Sequence, residues 1–340
     1  MIILGIDTSF DDTAAAIVKD TTILSNVLST DLATHQDYGG VVPRLAREGH
    51  EKHINSVIEL ALKRAHITWE EIEAIAVTRG PGLSICLEIG IAKAKDLAIK
   101  YSKPLIAVNH LEGHLLSFLL EPKTIHKQHE LSDFFPALGI IISGGNTQFV
   151  YAPKIGTYEI VGETRDDAMG ECFDKVGRML GLGYPAGKVV EVLAKTGIPG
   201  KVIFPVPMRQ IKSADMSFSG LKTAAMRIIE KYPTLSKQDI SDIALGFQVA
   251  VTQHLLEKLD FAIQNREVKS IVVGGGVICN MFVRKQLRKF AKKQSVPIYF
   301  PYTKKLCTDN GAMIALVAQY KESISQENLD RLPIFRLDQK

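Results

Sequence analysis

The feature that most constrains this chain is an order of hydrophobic patterns that occurs twice. MIILGI, TAAAIV and TILSNVLS are three short apolar runs at the N-terminus, the first two joined by the polar turn Thr8 to Asp12. Their length and spacing predict a meander of three strands. A helical pattern from Val41 to His66 follows, then the strand EAIAVT, a break at Gly80-Pro81-Gly82, a helix from Leu83 to Tyr101 and the strand PLIAV. From Pro136 the order restarts. ALGIIIS, the turn Gly144-Gly145-Asn146, TQFVYA and TYEIVG precede helices that begin near Asp166. Strand SIVVGGG, a helix from Val277 to Lys293, strand PIYFP and a last helix from about Asp309 close the second copy as the first was closed.

A duplicated βββαβα unit of α/β class predicts two ribonuclease H-like halves facing a nucleotide cleft. Each half would present the backbone N–H groups of its first hairpin to phosphate oxygens. The first half is expected over residues 1–110, with a C-terminal helix over about 309–340 packing back on it, and the second over 134–308. Glu121 to Asp133, polar and His-rich, reads as the linker; an irregular and helical insertion centred on Pro199 to Pro233 is expected over about 185–240. The length of 340 residues suits two domains of roughly 150 residues each. No run approaches the roughly 20 apolar residues that span a membrane. MIILGIDTSF lacks the basic and apolar regions of a signal peptide, so a cytoplasmic location is expected. Cys86, Cys172, Cys279 and Cys307 form no close-spaced pair and read as free thiols. A net charge of +4 permits a polyanionic partner without requiring one.

Within this frame a few residue groups carry chemistry. His110 and His114 in NHLEGHLLS share one helix face and can offer two imidazole nitrogens to one ion, or can be ordinary polar helix surface. The metalloprotease pattern needs Glu directly after the first His; Leu111 stands there, and Glu112 points elsewhere. Asp309 in CTDNGAMIA occupies the strand-to-helix turn of the second copy that corresponds to the turn carrying His110. It either completes a two-His, one-carboxylate set with open positions or stabilises a helix N-terminus. ISGGNTQ and VVGGGVICN place glycines where backbone can approach phosphate or sugar, though glycine also serves positive φ. Asp7, Asp11 and Asp12 cluster around one turn, where they favour the turn locally or orient a cation or nucleophile. Arg284, Lys285, Arg288, Lys289, Lys292 and Lys293 form a basic stripe that suits an RNA backbone or a solvated face. Trp69 reads as packing.

With these residues in place, the chain resembles the tRNA N6-adenosine threonylcarbamoyltransferase family, in its bacterial-type branch, formerly described as O-sialoglycoprotein endopeptidases. The segments that carry the resemblance are GIDTSFDDTAAAIV, GGVVPRLA, GPGLS, KPLIAVNHLEGHLLS, ISGGNTQ, DDAMGECFDKVGRMLGLGYPAG, SFSGLKT, VVGGGVICN and CTDNGAMIA, in family order from about Ile2 to Tyr320. The resemblance implies a duplicated, actin-like architecture, and that His110, His114 and Asp309 bind one divalent ion, iron or zinc. It implies that threonylcarbamoyl-adenylate, made by a separate enzyme, donates its threonylcarbamoyl group to the exocyclic amine of the adenosine beside the anticodon, in tRNAs reading codons that begin with A. The metal would hold and polarise the threonylcarbamoyl moiety. Ile141, Ile142, Ser143, Gly144 and Gly145 would line the substrate site, Asp174 and Glu191 would reach the ribose, and Gly187 and Asn280 would complete the adenylate pocket. Asp7, Asp11 and Asp12 remain the catalytic candidates. Implied partners are tRNA and accessory subunits, a paralogous actin-like subunit and an ATPase, with no membrane.

The chain departs from the family pattern at Asp7 (commonly Glu), Phe10 (Cys), Arg44 (Glu), Arg79 (Tyr) and Asn146 (often His), and its GIIIS run lacks the extra ligating Tyr of the archaeal and eukaryotic branch. Two other functions compete. An ATP-dependent small-molecule kinase of the same superfamily would use Asp7 and Asp12, but Mg²⁺ on oxygen ligands has no use for two imidazoles. An inactive scaffold paralogue would have no reason to keep His110, His114 and Asp309 together.

Overall fold

The computed structural model describes residues 1–31, 35–36, 38–124, 130–264 and 266–339. The chain divides into two compact units, residues 1–130 with 300–340, and residues 131–299.

The first unit is built on a six-stranded sheet. Its strands are β1 (Ile2–Asp7), β2 (Asp12–Lys19), β3 (Thr22–Thr30), β4 (Ala74–Gly80), β5 (Leu105–Asn109) and β6 (Glu121–Pro122), in the order β5-β4-β1-β2-β3-β6. β1 and β2 pair antiparallel, as do β2 and β3, whereas β1, β4 and β5 run parallel. β1 and β4 are buried along nearly their whole length, the pattern of strands covered on both faces. On one face Leu4, Ile6, Ala15 and Ile17 meet Ile54, Ile58 and Leu62 of α1 (Pro43–Ala65) and Leu87, Ile91 and Leu97 of α2 (Ser84–Tyr101). Trp69 stacks on Tyr101 beside this core, with ring centroids 4.1 Å apart. On the other face the last helix, α9 (Gly311–Ala318), lies directly on the strands. A Cβ on Gly5 would sit 2.2 Å from the Gly311 carbonyl oxygen, so glycine is what permits this approach.

The second unit repeats the order. β7 (Ala137–Ile142), β8 (Thr147–Lys154), β9 (Thr157–Glu163), β10 (Ser270–Gly274) and β11 (Ile298–Tyr299) are arranged β11-β10-β7-β8-β9, which matches β5-β4-β1-β2-β3 strand for strand. The hairpins are again antiparallel, and β10 runs parallel to β7 and β11. The helices are α4 (Met169–Met179), α5 (Gly187–Ala194), α6 (Ser219–Ile229), α7 (Lys237–Ile263) and α8 (Met281–Lys293). α7 starts at a capping box in which Ser236 and Asp239 exchange side-chain and backbone bonds.

Four expectations need correction. The last helix does not reach residue 340: after Ala318 the chain doubles back, and the Ile324 and Leu332 amides donate to Leu105 and Arg79 carbonyls instead of continuing a helical ladder. Residues 300–308 belong to the first unit and not the second. The helix expected from Val277 begins at Met281, because Gly275 takes φ 95° and the Asn280 side chain accepts from the Phe282 and Val283 amides, closing a short 3-10 turn before it. Of the expected linker, residues 125–129 lie outside the described residues, while Glu121–Pro122 adds an edge strand beside β3. Among the described residues, no helix is long and apolar enough to cross a membrane.

Candidate functional site

In the first unit, β5 ends at Asn109, whose side chain accepts hydrogen bonds from the Leu111 and Glu112 amides and so starts α3 (His110–Leu116). The same side chain donates to the Phe335 carbonyl at 3.1 Å, tying the helix start to the returning C-terminal segment. Leu111, Leu115 and Leu116 are buried, and a Cβ on Gly113 would meet Met313 of α9 at 2.9 Å. This packing holds α3 against α9 with His110 and His114 one turn apart, both buried, their rings edge to face at 4.7 Å. Asp309 comes from the turn before α9. Asn310, and not Asp309, caps that helix by accepting from the Met313 amide, which leaves the Asp309 carboxylate for the histidines. Its Oδ1 lies 3.4 Å from His110 Nε2 and 3.1 Å from His114 Nε2.

These three side chains fit one metal ion. One donor atom from each lies within 4.8 Å of the others. A tetrahedral ion with ligands at about 2.1 Å spaces its donor atoms about 3.4 Å apart, close to the 3.4 and 3.1 Å found here. The buried His114 Nδ1 has no hydrogen-bond partner among the described residues. A set of two imidazoles and one carboxylate suits iron(II) or zinc and leaves positions open. Burial opposes charge on His110, but Asp309 and then Asp7 outweigh it and raise its pKa to about 10. Burial likewise opposes charge on Asp309, whose carboxyl His110 and His114 nevertheless hold well below the usual carboxylate range.

The β1–β2 turn lies beside this cluster. Asp7, buried, has Oδ2 at 3.3 Å from His110 Nδ1, and Ser9 Oγ lies 3.1 Å from the same nitrogen. Asp11 and Asp12 are half-buried. Burial raises the Asp11 pKa, with Asp309 adding to it, while burial and then Asp11 raise Asp12 to about 7. His50, buried, holds the turn through Thr13 Oγ1 and the Phe10 carbonyl, each at 2.8 Å, and burial lowers its pKa. Glu112 is buried against Lys321 Nζ at 2.8 Å, so no protease base stands between the histidines. Thr78 Oγ1 donates to Asp7 Oδ1 at 2.8 Å, and Ser9, Thr78 and His50 escape the sequence reading. Ser9 at least lies inside the turn whose acids were noticed, whereas His50 reaches Thr13 only through the fold.

In the second unit, the residues expected around a nucleotide occupy one neighbourhood. Ile141 and Ile142 are buried in β7, and Ser143 closes the turn by exchanging bonds with Asn146, leaving Gly144 and Gly145 exposed. A Cβ on Gly170, at the start of α4, would sit 2.5 Å from the Ser143 carbonyl oxygen. From α4, Asp174 Oδ1 accepts the Ala186 and Gly187 amides at 2.8 and 3.0 Å and so anchors α5, and burial raises its pKa. Glu191 of α5 accepts the Met281 amide at 2.8 Å beside Asn280, whose side-chain amide donates to Gln248 at 2.8 Å. The basic stripe on α8 is shorter than expected. Arg284 is buried and donates to the Ile278 carbonyl at 3.2 Å, while Lys285, Arg288, Lys289, Lys292 and Lys293 are exposed on one face.

Comparison with known proteins places this geometry. The tRNA N6-adenosine threonylcarbamoyltransferase family profile matches residues 22–316. A protein of that name from Geobacter sp. (strain M21) is 40% identical, over 99% of this chain and 97% of its own length. Its namesake in Trichlorobacter lovleyi is 41% identical, over 100% of this chain and 98% of its own length. Among solved structures, component A of the Acidaminococcus fermentans (R)-2-hydroxyglutaryl-CoA dehydratase superposes with TM-score 0.55 at 16% identity, covering 94% of this chain and 98% of that one. T. kodakarensis HypF superposes with TM-score 0.61 at 14% identity, covering 92% of this chain and 46% of that one. These structures show the shared fold alone, but the profile and the full-length relatives show more: the chain belongs to the tRNA N6-adenosine threonylcarbamoyltransferase family, tRNA-modifying transferases.

Proposed function

We propose that this chain transfers the threonylcarbamoyl group of threonylcarbamoyl-adenylate to the exocyclic amine of the adenosine beside the anticodon, in tRNAs reading codons that begin with A. The observation that carries the reading is the convergence of His110, His114 and Asp309 on one small volume in the first unit. His110 Nε2, His114 Nε2 and Asp309 Oδ1 would hold one iron or zinc ion. When bound, that ion supplies Lewis-acid polarisation of a substrate oxygen at its open positions. The chain's own residues do the rest. The tRNA amine attacks the carbamoyl carbon, the bond from that carbon to the adenylate phosphate oxygen breaks, and AMP departs. Asp12, raised to about 7, is suited to accept the proton that the amine loses. In the second unit, Ile141 to Gly145 would line the adenylate site with Gly187 and Asn280. Asp174 spends one carboxylate oxygen on two backbone amides and Glu191 one on a single amide, and each has a second oxygen to offer a ribose hydroxyl. The exposed cations of α8 would meet the tRNA backbone, and a paralogous actin-like subunit and an ATPase would complete the active assembly.

The experiment is reconstitution of the chain with threonylcarbamoyl-adenylate, substrate tRNA and the accessory subunits, read by nucleoside mass spectrometry. Threonylcarbamoyladenosine with equimolar AMP is expected. Unmodified adenosine with every component present would overturn the reading, and ADP formed from ATP and a small acceptor would favour the kinase alternative.

A further inference from the structure

We infer that Asp7 is a positioning residue for the metal centre, fixing the ring and the tautomer of His110 so that the two histidine ligands are unequal. This rests on the reading of His110, His114 and Asp309 as metal ligands. The Asp7 carboxylate is 1% exposed and rigidly held, with Oδ1 accepting from Thr78 Oγ1 at 2.8 Å and from the Ser9 amide at 3.1 Å. Its other oxygen, Oδ2, is buried without a hydrogen bond among the described residues and faces His110 Nδ1 at 3.3 Å. Ser9 Oγ approaches the same nitrogen at 3.1 Å. A neutral imidazole carries one N–H. A carboxylate on the Nδ1 side draws that hydrogen to Nδ1 and leaves the Nε2 lone pair directed toward Asp309, where a cation would sit. His114 has no such support among the described residues, where its buried Nδ1 finds no hydrogen-bond partner. The structure therefore assigns His110 as the pre-set ligand. Thr78, on the neighbouring strand β4, acts through Asp7 by holding its Oδ1.

The test is a competitive chelator titration of zinc on the purified full-length chain, with ring ¹⁵N shifts of labelled histidine read in the zinc-bound protein. Asp7→Asn and Asp7→Ala are expected to weaken zinc binding about 10- to 100-fold. Asp7→Glu, which keeps the carboxylate, should recover most of that loss, a rescue that a purely structural role would not produce. Wild-type protein should show the proton on His110 Nδ1, and that signal should weaken or move in Asp7→Asn. If the Asp7 variants do not fold, Thr78→Val, which leaves the carboxylate but removes its anchor, should still lower the affinity several-fold. Unchanged zinc affinity in folded Asp7 variants, with His110→Ala and His114→Ala losing the metal, would overturn this assignment alone. Wild-type zinc binding that survives both histidine substitutions would overturn the metal reading and this assignment together.

Discussion

At the scale of single residues, the acids of the β1–β2 turn set the pH behaviour. Asp12 is raised from its ordinary 3.8 to about 7, chiefly by burial and then by Asp11. The folded chain keeps this proton where the unfolded chain has lost it, so the stability it gives is complete below about pH 4 and is lost as pH rises through about 7. Asp12→Asn should flatten that part of the profile: between pH 5 and 8 the thermal midpoint should fall less in the variant than in wild type. Equal falls would show that Asp12 is not the titrating group. Asp309 gives a sharper case. Asn310 supplies the helix cap, so Asp309→Ala removes no capping bond, but it strips the buried His110 and His114 of their carboxylate and should cost about 3 kcal/mol in urea unfolding while abolishing most turnover. A large stability loss with turnover kept would assign Asp309 to the fold. The sequence made the residues of the cluster legible, since the His spacing is local and Asp309 sits at the matching turn of a repeat. It did not show Asp7 beside His110, because 103 positions separate them and only the β5–β4–β1 pairing closes that distance.

Elements place these residues through close packing. α9 approaches β1 so nearly that Gly5 and Gly311 admit no side chain. Gly5→Ala should therefore overpack a backbone-to-backbone contact and cost about 1–3 kcal/mol in urea unfolding, moving the turn that carries Asp309; no change in stability would mean the strand and helix have room to part. On α8 the exposed face of Lys285, Arg288, Lys289, Lys292 and Lys293 is what remains of the basic stripe once Arg284 turns inward. Reversing Lys289 and Lys292 to Glu should weaken tRNA binding and reduce the slope of log affinity against log salt by about 2. An unchanged slope would return the helix to a solvated outer face. Periodicity gave α8 almost correctly, but the side that Arg284 faces depends on the Ile278 carbonyl of a 3-10 turn that periodicity does not register.

Over the whole molecule, the duplicated order was readable because strand and helix periods are local and each copy repeats them. The return of the chain to the first unit was expected from about residue 309, but its start at 300 and its course as coil after Ala318 were not readable, since they depend on amides of a coil segment finding carbonyls at Leu105 and Arg79. That return brings Asp309 to the histidines, and the central claim is that the three residues form one metal centre. Elemental analysis of the purified chain tests it most directly. About one iron or zinc ion per chain is expected in wild type, and almost none in the folded His110→Ala, His114→Ala double variant. Metal content that stays the same in that double variant would contradict it.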